Sequence, residues 1–134
     1  MKSWSAPSKR CERSSGSPPA AAGTTRYTGR VVVLIDERAI SQSEHTCLFF
    51  EAAAESVTFI GSPTNGANGD VTDLVLPGGI WVTFTGHDIR HADGRQLQRV
   101  GIQPDIAVAP TIQGIREGRD EVLERAIRYL EDGR

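Results

Sequence analysis

The clearest apolar run in the chain is RVVVLI, from Arg30 to Ile35. It is aliphatic and β-branched with no polar alternation, the pattern of a strand buried on both faces. From Ser43 the period changes. Cys47, Leu48, Phe50 and Ala54, with Phe49 and alanines between them, fit a helix laid on a sheet. SVTFIG, from Ser56 to Gly61, predicts a second short strand. Strand, helix and strand make a βαβ unit, which crosses over right-handed. VTDLVL and IWVTFTG flank the turn PGG and predict a hairpin. Asp93-Gly94 marks another turn, and the prolines of QPDIAVAP require an extended chain. Val122, Leu123, Ala126, Ile127 and Leu130 form one helical stripe, with Asp120 as its N-cap. The pattern predicts an α/β fold with an antiparallel annex.

Residues 1–28 stand apart. SAPSKRCERSSGSPPAAAGTT is rich in Ser, Pro, Ala and Gly, and Trp4 and Tyr27 are the only aromatic residues of the segment. Such a segment buries too little surface to offset its ordering entropy. The expected division is a disordered tail over 1–28 and one folded unit over 29–134.

Composition narrows the function classes. The chain has 134 residues, 38% hydrophobic and 24% charged, with a formal net charge of -2. This is a globular balance, and no concentrated basic face invites nucleic acid. No apolar run approaches the ~20 residues of a membrane span. Lys2, Lys9, Arg10 and Arg13 lack the apolar segment that completes a secretory signal, so the compartment stays open. Cys11 lies in the polar tail and Cys47 in the apolar helix, a poor match for a disulfide. No CxxC spacing marks a zinc site.

Ser41 is the first candidate for chemistry. It lies after a buried strand and before a helix, where ligands of open α/β sheets sit. A helix N-terminus also offers free amides to an oxyanion. The position suits a nucleophile. It also suits a cap: Ser41 or Ser43 could start the helix, with Glu44 at the positive end of its dipole. From position alone the cap is the stronger reading, and the G-x-S-x-G elbow is absent. A nucleophilic serine needs a base. His45, four residues after Ser41, could project beside it, although alone it reads as an exposed helical residue. His87 and His91 read as solvent-facing. The only lysines, Lys2 and Lys9, are in the tail. Asp36, Glu37, Glu44, Asp70, Asp73, Asp88 and Asp93 read as surface or turn carboxylates. The loop TNGANGD could hold an anion on backbone amides, but it lacks the ending of a P-loop and reads first as a tight connection.

The order of these segments resembles the C-terminal half of the tail-specific, or C-terminal-processing, serine peptidases, and most closely their tricorn-core-like branch. VVVLIDERAISQSEHT is similar to the family's strand followed by S-x-[AS]-E. VTFIGSPTNGANGDV resembles its V-G-x-x-T-x-G segment, and LPGGIWVTFTG its L-P-G-G hairpin. DGRQLQRVGIQPDIAVAPT resembles its D-G-x-x-x-x-x-G-[IV]-x-P-D segment, and GIREGRDEVLERAIRYL its terminal helix. Five matches in order are specific where each alone is weak.

The resemblance implies a crotonase-like (Clp-protease-like) α/β core, peptide-bond hydrolysis and no cofactor or metal. It places the nucleophile on Ser41 and one oxyanion donor on the backbone amide of Gln42. It implies a peptide or protein substrate. Two departures stand out. The loop after the second strand has Asn65 and Asn68 where Ser-Lys members carry a lysine. Gln96 and Gln98 stand where a downstream carboxylate is expected, and glutamine cannot stabilise a cation by charge. His45 is the local substitute for the missing base. Residues 1–28 show no counterpart in the family. The expectation is therefore a truncated copy, or one part of a site completed elsewhere, with little activity alone. Uncovered sheet surface then predicts self-association. The alternative function is a non-catalytic remnant or interaction module, and an acyl-CoA enzyme of the same broad fold is disfavoured because the motifs are the peptidase's.

Overall fold

The structure, a computed structural model, describes residues 27–54 and 56–133. The expected tail falls outside these residues except for Tyr27 and Thr28, and Cys11 lies outside them too. The RVVVLI run becomes β1 (Val31–Ile35), followed by α1 (Gln42–Ala53) and β2 (Val57–Gly61). β1 and β2 pair in parallel, from Val31 opposite Val57 to Ile35 opposite Gly61. After a long excursion the short β5 (Ile106–Ala107) adds in parallel to β2, giving the order β1-β2-β5. The excursion contains β3 (Val71–Leu76) and β4 (Ile80–Thr85), an antiparallel hairpin forming its own sheet. The chain ends in α2 (Ile112–Arg116) and α3 (Glu121–Asp132). The architecture is mixed α/β with a parallel and an antiparallel sheet, as the pattern predicts.

The parallel sheet is covered on both faces because successive side chains of a strand point oppositely. Ile35 and Phe59 face α1 and pack with Cys47, Leu97 and Ile102 in the main core. Thr58 points the other way, and its hydroxyl donates to the Tyr129 hydroxyl of α3 at 3.0 Å. Ile60, on that same face, is fully buried. Asp120 caps α3 as predicted, its side chain accepting from the Leu123 amide. The stripe of α3 is only partly used: Ala126 is buried, whereas Leu123, Ile127 and Leu130 stay nearly half exposed.

One expectation fails here. Phe50 belongs to the predicted packed face of α1 but is 41% exposed, beside Phe49 at 60%. The helix instead turns Glu44 and Cys47 inward. The α2 helix has no periodic signature, since five residues are too few to show one; it starts where the Thr111 side chain accepts from the Gly114 amide. No helix among the described residues is long and apolar enough to cross a membrane. Every residue of β3 and β4 is exposed.

Candidate active site

The apolar run of β1 stops at Asp36, whose carboxylate binds the Arg38 side chain and backbone amide, turning the chain off the sheet. The turn delivers Ser41 to the N-terminus of α1. Ser41 adopts φ 55° and ψ −112°, one of only three non-glycine residues at positive φ among those described. A residue held in such a region costs about 1–3 kcal/mol and persists only where its surroundings dictate it. As N-cap residue it makes no capping hydrogen bond with its side chain. The cap reading of Ser41 therefore fails, and its hydroxyl is uncommitted. Ser43 does not cap either; it lies inside the helix, its amide donating to the Ile40 carbonyl. No group among the described residues accepts from the Gln42 amide, which lies in the first turn where helices leave amides free.

The surroundings are polar and buried. Glu44 is 0% exposed, not a surface dipole partner as expected. Its Oε1 accepts from the Thr64 hydroxyl and the Gly66 amide, both at 2.6 Å, and its Oε2 from the Ala67 amide at 2.9 Å. The amides of the TNGANGD loop thus do hold an anion, and that anion is the protein's own carboxylate. Ala67 returns its carbonyl to the Ser41 amide at 3.0 Å. The Thr64 hydroxyl also accepts from the Ile102 amide, tying the loop to the core. Burial pushes the Cys47 thiol up, and the Glu44 charge adds to this, so Cys47 stays protonated and is no rival nucleophile.

The histidines depart from expectation. His45 is half-buried rather than exposed. Its ring meets Phe49 edge-on at 4.8 Å, and Nδ1 lies 3.3 Å from the Asn68 side-chain nitrogen. His91 is buried, with Nδ1 2.6 Å from Glu51, whose other oxygen binds Arg95. These residues line a cavity of about 260 Å³, on which Ser41 does not border. His87 is exposed, as expected. The downstream glutamines spend their amide nitrogens on backbone: Gln96 on the Gln98 carbonyl, and Gln98 on the carbonyls of Asn68 and His87. An open groove of about 1270 Å³ runs past the corner, lined by Ile35, Ala39 and Ser43 and reaching Ile115 and Arg119.

Glu44 and Asn68 are the residues that sequence reasoning undervalues. Their signal is positional: a glutamate three after the serine, and an asparagine in the loop that must approach it.

Comparison with solved structures finds this fold in peptidases. A putative peptidase from Parabacteroides merdae aligns at 30% identity and TM-score 0.72, over 81% of this chain and 34% of that one. Mature CPAF aligns at 25% identity and TM-score 0.66, over 81% of this chain and 22% of its own. The tricorn protease, at 22% identity and TM-score 0.64, covers 76% of this chain and 10% of its own, and bears on the fold alone. The chain thus spans about a third of the Parabacteroides peptidase and less of the others. A search of curated proteins finds no match. The family model for peptidase family S41 matches residues 5–108. The match starts inside the segment where the motifs show no counterpart, and stops before α3. It takes in well over half of the sequence, and the chain belongs to peptidase family S41.

Proposed function

We propose that this chain carries the nucleophile of a serine-type peptidase. Ser41 attacks the scissile carbonyl of a peptide or protein substrate, and the Gln42 amide is one donor to the oxyanion that forms. One observation carries the reading: Ser41 sits in a strained conformation with its hydroxyl unused, while its own amide and the buried Glu44 and Thr64 side chains are bonded. Strain of this kind gathers at functional sites. The groove beside the corner is the substrate path in this reading. Residues 29–134 correspond to the C-terminal portion of the family's catalytic domain, with a crotonase-like core.

His45 is the local candidate for the base. An amide nitrogen only donates, so the Asn68 contact makes His45 Nδ1 an acceptor and leaves its proton on Nε2. That tautomer cannot take the serine proton through Nε2. We therefore expect slow chemistry from the chain by itself. A second reading, a non-catalytic module of the same fold, draws on Gln98, whose side chain serves backbone carbonyls in a segment where a carboxylate is expected.

Labelling with a fluorophosphonate decides between them. Slow labelling of the parent, abolished in Ser41→Ala, is the expected result. Labelling that survives Ser41→Ala sinks the nucleophile assignment, and a parent that never labels favours the non-catalytic reading. Fast parental labelling would show a complete base system and overturn the expectation of slow chemistry.

A further inference from the structure

We infer that Glu44 is a positioning residue that sets the geometry of Ser41 through one intermediary, Ala67. Its catalytic meaning rests on the reading of Ser41 as nucleophile; its structural part does not. Ser41 at the N-cap and Glu44 at the third helical position have the spacing of a capping box. In that motif the hydroxyl caps the glutamate's amide, and the carboxylate caps the serine's amide. Here neither leg forms. The Ser41 hydroxyl caps nothing, and its amide donates to the Ala67 carbonyl. Glu44 turns inward and accepts from the Ala67 amide instead. Ala67 is held at both ends, and the circuit from Ser41 through one helical turn to Glu44, Ala67 and back to Ser41 is closed.

An ordinary capping box would consume the serine hydroxyl. Routing the contact through Ala67 satisfies the Ser41 amide, holds the positive φ and leaves the hydroxyl free. The circuit also explains why the residue is a glutamate. Three donors converge on it, from Thr64, Gly66 and Ala67, and a carboxylate offers acceptors only. A glutamine would set an NH2 group against one of them.

Two measurements on the full chain test this. Native-state amide exchange reads the circuit directly. In Glu44→Gln the Ser41 and Ala67 amides should exchange at least about tenfold faster, while Leu48 in the middle of α1 keeps its protection. Thr64→Val removes a different donor from the same carboxylate and should leave Ser41 protected. Glu44→Asp keeps the charge but shortens the reach, and exposes the same two amides should the glutamine variant not fold. Fluorophosphonate kinetics read the consequence. Positioning predicts a maximal labelling rate about 30-fold lower in Glu44→Gln, with the final labelled fraction unchanged. Ser41 protection that persists in the Glu44 variants overturns the inference, and so does a lost labelled fraction at the parental rate. If the parent itself does not label while Ser41 protection still depends on Glu44, the circuit stands and the nucleophile reading is what fails.

Discussion

The Ser41 corner and the β3–β4 hairpin bury the opposite residues from those hydropathy alone would choose. The corner encloses Glu44 at 0%, Asn68 at 5% and Thr64 at 6% exposure. The hairpin leaves Ile80 at 58% and Trp81 at 68%. Its register sets Leu74, Leu76, Ile80, Val82 and Phe84 on one face, and nothing among the described residues covers them. Burial at the corner follows hydrogen-bond satisfaction: the buried side chains of Glu44, Thr64 and Asn68 each meet a partner of the right kind, so desolvation is offset. The hairpin is held by its own ladder and by a few contacts at its base, such as His87 N–H to the Gly69 carbonyl. A two-stranded hairpin alone is marginal in water. The buried polar side chains of the corner are satisfied within the described residues, whereas the apolar face of the hairpin is not covered by them.

The sharpest way to break this comparison is to truncate one residue in each region. Glu44→Ala strands three donors, of which those on Thr64 and Gly66 are buried, and we expect a loss of about 3 kcal/mol. Trp81→Ala removes a larger side chain from an exposed strand, and we expect under about 1 kcal/mol. Urea unfolding followed by circular dichroism reads both. Equal losses would mean that the polar network is not what stabilises the corner.

Glycines give a second, smaller contrast. Gly66 has φ 74°, and an added Cβ would lie 2.8 Å from the Val100 amide nitrogen and 2.9 Å from those of Arg99 and Gly101. Backbone atoms cannot step aside cheaply, so Gly66→Ala should cost about 2 kcal/mol or more. Gly78, in the hairpin turn at φ 89°, has nothing within 4 Å of such a Cβ. Gly78→Ala meets only the left-handed backbone penalty, about 1 kcal/mol. Thermal melts of the pair would show similar shifts only if the loop around Gly66 were free to move.

These contrasts also mark what the chain discloses before folding. The strands, the hairpin and α3 are legible because each carries an apolar run, a period or a turn residue that acts locally. The Ser41 position is legible through the order of several motifs, since its local context alone reads first as a helix cap. What stays hidden depends on segments distant in sequence. Glu44 looks like a dipole partner until the Thr64–Asn68 loop supplies its donors. His91 looks like a solvent-facing residue until Glu51, 40 positions earlier, reaches it. Phe49 and Phe50 mislead in the other direction: an apolar pair on a helix reads as core, and here both point outward.

The apolar hairpin face yields a prediction about association rather than stability. Leu74→Thr with Val82→Thr keeps β-propensity while cutting the exposed patch. We expect weaker self-association of the chain in sedimentation velocity and unchanged amide protection at Ser41. Association that persists in the double variant would move the sticky surface elsewhere, for example to the half-exposed stripe of α3.

The smallest expected effect lies at the other turn of the chain. Arg95 binds Asp93 at 2.6 Å and Glu51 at 2.7 Å, linking the exposed turn to α1. Its guanidinium holds the Asp93 carboxyl below the usual carboxylate range. A carboxyl whose folded pKa is depressed adds stability above its unfolded pKa, and that contribution disappears as pH falls through the folded value. Both side chains are more than half exposed, so water and salt screen the pair and the gain is slight. Asp93→Asn should therefore melt just below the parent at neutral pH in low salt, and the gap should close as the solution is acidified. A gap that widened on acidification would show that the Asp93 contribution to stability is not the charge pair with Arg95. The turn would then depend on its backbone contacts, as the hairpin base does.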